Sequence, residues 1–170
     1  ELLASSDASL DGFDTEISRF PVTELAELIR SEYADRMTIK RIPFTVECNT
    51  DTIMESDKYA LYRSVSQLLE NAVKYGDGSG IKVEIMRHDE GFGISVRDSG
   101  GLLPENEIPY VFRSYWRGSN AANAEGSGIG LYSVYETVRA LGGNVLARRL
   151  EDTNEMEFFI YIEDSTIQGR

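Results

Sequence analysis

The sequence predicts an α+β fold, a two-layer sandwich in which a mixed, mostly antiparallel sheet of about five strands is covered on one face by three helices. Helical and strand-like segments are interspersed along the 170 residues. Two pairs of strand-like segments are separated only by short turn-like sequences, so each pair forms a hairpin with no room for a crossover helix. A chain of this length with 41% hydrophobic residues supports one well-filled core. We therefore expect one domain over residues 20–164, a linker or the end of a preceding element over residues 1–19, and a loose tail over residues 165–170.

Three segments have the periodicity of amphipathic helices. The first begins at Val22, where apolar residues follow at helical spacing. The clearest begins after a capping signal at Asp57, and its apolar positions recur at i, i+4, i+7 and i+8 until about Gly76. The third covers residues 129–141 and is stopped by Gly142 and the glycine after it.

Five segments have the character of β-strands. Residues 43–48 alternate between apolar and polar side chains. Residues 81–87 and 92–98 flank a short turn, and residues 144–150 and 155–162 flank another polar turn. The sheet is therefore expected to contain at least two antiparallel pairs.

A connection of about 30 residues, over positions 99–128, separates the last strand of the first hairpin from the third helix. Connections of this length in a compact domain are usually functional. Its tip is small and polar, and glycines at both ends are suited to act as hinges. The segment has the character of a lid.

Charge and composition exclude several classes of function. The chain has 29 acidic and 17 basic residues, a formal net charge of -12, which repels nucleic acid and anionic lipid. No apolar run reaches the length of a membrane span, so we expect no membrane contact by these residues. The single cysteine, Cys48, cannot form an internal disulfide, which fits a reducing cytoplasm.

One face of the second helix is polar. Gln67, Glu70, Asn71 and Lys74 fall at i, i+3, i+4 and i+7. A solvated helix surface is the ordinary explanation of such a face. The residue types suggest more, because an amide oxygen suits a hard cation, a lysine suits phosphate, and Tyr75 supplies a flat apolar ring.

Two glycine-containing segments complete the candidate site. Asp98 ends a strand and is followed by serine, Gly100 and Gly101, a pattern that turn chemistry alone explains as well as close approach to a ligand does. Residues 126–131 read Gly-Ser-Gly-Ile-Gly-Leu and run into the third helix, where free backbone amides suit phosphate. This second segment lacks the lysine and hydroxyl residue of a P-loop and does not follow a strand, so the P-loop and dinucleotide-binding patterns both fail.

Taken in order, these segments resemble the GHKL ATPase superfamily, whose members share the Bergerat fold. Residues 67–75 resemble its N box, residues 98–101 its first glycine box and residues 126–131 its second. Residues 111–118, Val-Phe-Arg-Ser-Tyr-Trp-Arg-Gly, resemble the F box, which favours histidine kinases over the gyrase, mismatch-repair and chaperone ATPases. The resemblance extends over residues 20–162, and four boxes in the right order are far more specific than one.

The resemblance implies a role for each matching position. It implies Mg²⁺ coordination by Asn71, phosphate contact by Lys74, adenine stacking by Tyr75 and recognition of the adenine amine by Asp98. Glu70 matches the general base of the hydrolytic relatives, and a role in orienting the metal site or simple surface charge is an equal alternative. The remaining residues implied in ATP binding are Gly100, Leu103, Arg117, Gly126, Gly128, Ile129, Gly130 and Leu131, of which Arg117 is also expected to take part in catalysis.

The resemblance also implies the reaction and the partners. The γ-phosphate of Mg-ATP would pass to a histidine on a phosphoacceptor and dimerisation domain, and from there to a response regulator. Residues 1–19 would then end a dimerisation helix, and the chain would be the cytoplasmic part of a sensor kinase anchored in the inner membrane. His88, the only histidine, is expected to lie in a hairpin turn and lacks the acceptor pattern. An anti-sigma-type serine kinase and a nucleotide-dependent interaction module without phosphotransfer are the alternatives.

The sequence departs from the family pattern at two positions. Leu102 stands where the first glycine box has another glycine, and Ser114 stands where the F box has an arginine. Because Leu102 disfavours positive φ, hinging of the lid is expected to depend on the two glycines before it. We expect Phe112, Tyr115 and Trp116 to pack the lid onto the body of the domain.

Overall fold

The computed structural model describes residues 14–113 and 130–164. Within these residues, the elements along the chain are β1 (Ser18–Pro21), α1 (Val22–Ile39), β2 (Phe44–Cys48), β3 (Ile53–Ser56), α2 (Lys58–Tyr75), β4 (Ile81–His88), β5 (Gly91–Ser99), a 3₁₀-helix (Glu105–Tyr110), α3 (Gly130–Ala140), β6 (Gly143–Leu150) and β7 (Glu155–Glu163). None of the helices in the described ranges combines the length and the apolar character needed to cross a bilayer.

The main sheet has five strands in the order β2-β4-β5-β7-β6. Strand β2 pairs with β4 in parallel, and every other neighbouring pair is antiparallel. The strands β4 and β5 form one predicted hairpin, and β6 and β7 form the other. The predicted mixed, mostly antiparallel sheet of five strands is confirmed.

The core lies between one face of this sheet and the helices. Val83 on β4 pairs with Val96 on β5, which pairs in turn with Phe158 on β7, and all three side chains are buried. Leu61 and Leu68 of α2 belong to the same buried cluster. Burial of side chains of this size contributes on the order of 1.5–3 kcal/mol each. The packing between the sheet and the helices therefore holds the ends of α2 and β5 in place.

A second sheet of two strands, β1 and β3, was not predicted from the sequence. Ser18 pairs with Ser56 at one end and Pro21 with Ile53 at the other, so β1 overlaps the end of the segment expected to be a linker. The buried carboxylate of Asp57 joins the two parts, because it accepts hydrogen bonds from the amides of Ala60 and Glu16 over 3.0 and 2.9 Å. Asp57 therefore caps α2, as predicted, and also fixes the segment that enters the domain.

Candidate functional site

The C-terminal ends of α2 and β5 meet at one edge of the domain. The amide of Asp77 donates a hydrogen bond of 2.9 Å to the carbonyl of Ser99. At Gly76, a Cβ atom would lie only 2.7 Å from Oδ2 of Asp98, so the backbone passes directly beside this carboxylate and leaves no room for a side chain. The residue after the predicted N box and the first residue of the predicted glycine box are therefore adjacent.

Asp98 is buried, with 5% of its surface exposed. The pKa of its carboxyl is raised from 3.8 to about 8, mainly by burial and in part by the nearby negative charges of Asp77 and Glu155. A buried carboxyl group gains most from a ligand that supplies hydrogen bonds, and an N–H donor favours its ionised form. The environment of Asp98 therefore suits an amine or amide N–H group of a ligand.

The backbone changes direction immediately after β5. Gly100 and Gly101 have φ values of +71° and +62°, in the region that favours glycine. A Cβ atom on Gly101 would lie 2.1 Å from the carbonyl oxygen of Tyr75, so this glycine packs directly against the end of α2. Leu102 is absent from the residues with positive φ and packs against the core. Two glycines therefore form the turn after β5, and the expectation that the lid hinges at them stays a prediction.

The first residues of the lid are attached to the body of the domain. Leu103 is buried, and its carbonyl accepts a hydrogen bond of 3.1 Å from Nη1 of Arg149 on β6. The ring of Phe112 stacks with Tyr135 at a centroid distance of 6.3 Å and meets the ring of Phe158 edge-on at 6.1 Å. The predicted docking role of Phe112 is confirmed. Tyr115 and Trp116, with Ser114, lie outside the described residues.

The start of α3 approaches α2 closely. A Cβ atom on Gly130 would lie 2.8 Å from Oε1 of Gln67, and Leu131, the next residue of α3, is half-buried. The N-terminal end of α3 therefore faces the helix that carries the N box. The predicted site residues Arg117, Gly126, Gly128 and Ile129 lie outside the described residues.

A row of α2 residues links the two ends of this region. Gln67, Asn71 and Tyr75 follow one another at intervals of four, so they lie along one side of the helix between the start of α3 and the end of β5. Asn71 and Tyr75 are half-buried, and Lys74 is exposed. Among residues 14–113 and 130–164, no three His, Cys, Asp or Glu side chains form a metal-binding cluster. An amide oxygen at Asn71 fits a Mg²⁺ ion that takes its other ligands from phosphate and water.

Glu70 occupies a different side of α2. Oε1 accepts a hydrogen bond of 2.7 Å from Nη2 of Arg36, and Oε2 accepts one from Nη1. The hydroxyl of Tyr33 donates to Oε2 over 3.1 Å. The Arg36 guanidinium is the main cause of a pKa below the usual range for the Glu70 carboxyl. No local sequence pattern indicates this pairing, because Arg36 lies 34 residues before Glu70 on another helix.

Comparison with known proteins identifies the family of this chain. A sequence profile described as "Histidine kinase-, DNA gyrase B-, and HSP90-like ATPase" matches residues 56–165, and the chain belongs to this family of ATPase domains. Within the family, its relatives are sensor kinases. Signal transduction histidine-protein kinase AfsQ2 of Streptomyces coelicolor is 37% identical over 84 residues, and sensor histidine kinase HprS of Escherichia coli is 32% identical over 117 residues. The chain corresponds to the ATP-binding catalytic domain of sensor histidine kinases.

The aligned regions show how much of each relative this chain corresponds to. The aligned parts cover 49% and 68% of this chain but only 16% of AfsQ2 and 25% of HprS. The catalytic domain of histidine kinase ThkA has the same fold, with a TM-score of 0.76 and 22% identity, over 88% of this chain and 97% of that domain. The chain thus spans a quarter or less of these two kinases and nearly all of a solved catalytic domain.

Proposed function

We propose that this domain binds Mg-ATP between α2 and the start of α3 and donates the γ-phosphate to a histidine on a separate phosphoacceptor and dimerisation domain. The phosphate would then pass to a response regulator. The observation that carries the proposal is the meeting of three chain segments at one edge of the domain. They are the row of side chains on α2, the buried Asp98 beside Gly76, and the start of α3 against Gln67.

The adenine side of the proposed site consists of Asp98 and Tyr75. The carboxylate of Asp98 accepts a hydrogen bond from the exocyclic amine of adenine, and the ring of Tyr75 stacks on the base. Gly100 and Leu103 border the same end of the site. Burial of Asp98 supports this assignment, because an acceptor shielded from water discriminates strongly between a base that carries an amine and one that does not.

The phosphate side consists of Asn71, Lys74 and the start of α3. Asn71 supplies an amide oxygen to Mg²⁺, Lys74 and Arg117 neutralise phosphate charge, and the amides around Gly130 and Leu131 face the phosphates. The bound Mg²⁺ would supply charge neutralisation to the β- and γ-phosphates. Because phosphoryl transfer depends mainly on positioning and electrostatics, these side chains need only hold the γ-phosphate in line with an incoming imidazole nitrogen.

His88 is poorly placed to accept the phosphate from the site of its own domain. His88 pairs with Gly91 at one end of β4, and Ile81 pairs with Asp98 at the other end. Seven residues of extended strand place the two ends about 23 Å apart. The imidazole packs edge-on against Phe159 and Tyr161, with centroid distances of 5.0 and 5.6 Å. We therefore propose that the phosphorylated histidine belongs to another domain of a sensor kinase anchored in the inner membrane, with the present residues in the cytoplasm.

Calorimetric titration tests the nucleotide half of the proposal. We expect the domain to bind ATP in a Mg²⁺-dependent manner and to bind GTP more weakly, because guanine has a carbonyl where adenine has its amine. Asp98→Asn should weaken ATP binding and reduce this preference, whereas Asp77→Asn removes a nearby exposed charge and should keep the preference. Asn71→Asp should change the Mg²⁺ dependence. Equal affinity for both nucleotides in the unmodified domain would contradict the assignment of Asp98.

A transfer assay tests the other half. The domain is mixed with γ-labelled ATP and a separately made phosphoacceptor domain that carries the histidine helix. Label that appears on this partner and is released by acid identifies phosphohistidine. Acid-stable label would instead indicate a serine kinase, and nucleotide binding without transfer to any partner would indicate an interaction module.

A further inference from the structure

A polar cleft lies between α2 and α3, on the other side of Gln67 from the residue assigned to Mg²⁺. Its volume is about 210 Å³. Its polar lining consists of Arg63, Ser64, Ser66 and Gln67 of α2 and of Ser133 and Thr137 of α3. Ser64 comes seven residues before Asn71, which places it roughly 10 Å farther along the helix axis. The cleft is therefore distinct from the proposed metal position.

The hydroxyl of Ser64 is buried in this lining. Only 3% of the residue is exposed, and its Oγ atom has no hydrogen-bond partner in the described part of the chain. Hydroxyls within helices often donate to a carbonyl of the preceding turn, as Ser31 and Thr38 of α1 do to Leu28 and Ala34 over 3.1 and 2.9 Å. Ser64 makes no such bond. A buried donor without a partner costs stability, and a polar ligand in the cleft would satisfy it.

The electrostatics of the cleft favour a negative ligand. Arg63 is exposed and forms no ion pair with a described carboxylate. No lining residue is acidic, although the chain has 29 acidic and 17 basic residues. The one acidic residue in each of the two described helices is engaged elsewhere, because Glu70 binds Arg36 and Glu136 accepts a hydrogen bond from Tyr132. The guanidinium of Arg63 thus has no competing carboxylate in the cleft.

We propose that this cleft binds a small oxyanion, a phosphate or a carboxylate group. The guanidinium of Arg63 supplies charge-assisted hydrogen bonds. The hydroxyls of Ser64, Ser133 and Thr137 and the amide of Gln67 supply further donors from both helices. One water molecule occupies about 30 Å³ in the liquid, so the volume of the cleft admits an anion of this size together with water. The ligand is either a free anion or an acidic side chain of a partner protein.

A packing role explains the cleft less well. The helices already contribute the buried side chains of Leu68 and Val134 to one core cluster. If Ser64 served packing alone, Ser64→Ala would leave stability unchanged or lower it. The proposal expects the opposite in phosphate-free buffer, because alanine removes an unsatisfied buried group, while the same substitution weakens binding of the anion. A residue that destabilises the free domain and stabilises the complex is typical of a binding site.

Titration of the isotopically labelled domain with sodium phosphate, followed by amide NMR spectra at neutral pH and constant ionic strength, tests the proposal. We expect saturable shifts at Ser64, Gln67 and Thr137. Arg63→Met and Ser64→Ala should each weaken binding at least about fivefold, since hydrogen bonds to a charged group are among the stronger ones. Arg139→Met is a matched control that should bind normally, because Arg139 is an exposed arginine of α3 outside the lining.

The same titration with sodium acetate distinguishes the two sources of the ligand. Tighter binding of phosphate would assign the cleft to the free anion, and tighter binding of acetate would assign it to an acidic side chain. Shifts that do not saturate, or that are equal in the unmodified domain and Arg63→Met, would overturn the proposal. Shifts confined to Asn71, Gly130 and Leu131 would overturn it as well, because they would place the anion in the proposed nucleotide site.

Stability provides an independent measurement. A ligand that binds only the folded state raises the free energy of unfolding. Phosphate at constant ionic strength should therefore stabilise the unmodified domain against urea more than it stabilises Ser64→Ala, and equal stabilisation would contradict the proposal. The inference does not depend on nucleotide binding. Absence of ATP binding would remove the proposed function alone, whereas normal ATP binding with no anion in the cleft would remove this inference alone.

Discussion

Replacement of Asp98 by asparagine should change how the stability of the domain depends on pH. The buried carboxyl has a pKa of about 8 in the folded domain, against 3.8 when it is exposed to water. Between these two values the folded chain holds a proton that the unfolded chain releases. Rising pH therefore favours the unfolded state, and the stabilisation associated with this carboxyl, complete below pH 3.8, is lost as the pH passes through about 8.

The expected magnitude follows from the linkage of protonation and folding. One proton bound only by the folded state lowers the free energy of unfolding by at most about 1.4 kcal/mol per pH unit. Between pH 5 and pH 7 the unmodified domain should therefore lose up to about 3 kcal/mol relative to Asp98→Asn. The comparison between the two proteins isolates this carboxyl, because all other titrating groups are present in both.

Urea denaturation followed by far-UV circular dichroism, at three pH values from 5 to 7, gives the free energies of unfolding. We expect the curves of the two proteins to diverge with pH. Asp77→Asn is the matched control, because Asp77 is exposed and lies beside the same carboxyl. This control should retain most of the pH dependence. Parallel curves for the unmodified domain and Asp98→Asn would show that the buried carboxyl is not protonated preferentially in the folded state, and the account of its environment would fail.

Three further substitutions test the packing around the site. Gly76→Ala places a Cβ atom 2.7 Å from the buried carboxyl of Asp98, so it should lower the free energy of unfolding by about 1–3 kcal/mol and weaken ATP binding. Gly80→Ala meets its nearest atom at 3.8 Å and should be tolerated. Equal losses in the two variants would refute this. Ser64→Ala removes a buried hydroxyl that lacks a hydrogen-bond partner in the described structure and should raise the free energy of unfolding from urea denaturation by about 1 kcal/mol. Ser66→Ala breaks a contact with a tyrosine hydroxyl and should give no such gain. Arg149→Met removes the donor to the carbonyl at the start of the lid and should speed hydrogen exchange there about fivefold, without a comparable change in β4.

The parts of the fold that depend on local pattern were predictable from the sequence. The apolar period and the cap at Asp57 defined α2, which is capped by this side chain and ends at Tyr75, next to Gly76. The turn-like sequence between β4 and β5 defined their pairing. Each of these signals lies within one turn of helix or one hairpin, where sequence neighbours are also neighbours in space.

Pairings between distant segments were not predictable in the same way. Strands β1 and β3 have only four residues each and are stabilised by one another, and neither has a pattern that marks it as a strand. Arg149 reaches the carbonyl of Leu103 across 46 residues, and Arg36 reaches Glu70 across 34. In the sequence, a long charged side chain on a helix or strand has the pattern of a solvated surface residue. Its partner is found only when the distant segment is placed beside it.

The two carboxylates of the site show how environment assigns different chemistry to the same functional group. Asp98 is enclosed by the core at the end of β5, which raises its pKa to about 8, so a hydrogen-bond donor from the ligand is needed to favour its ionised form. Glu70 lies at the surface of α2, where Arg36 satisfies both oxygens and lowers its pKa. Core packing therefore sets the pKa of Asp98, and an arginine from a neighbouring helix sets that of Glu70, so substitutions at Asp98 and Arg36 should change the two carboxyl groups independently.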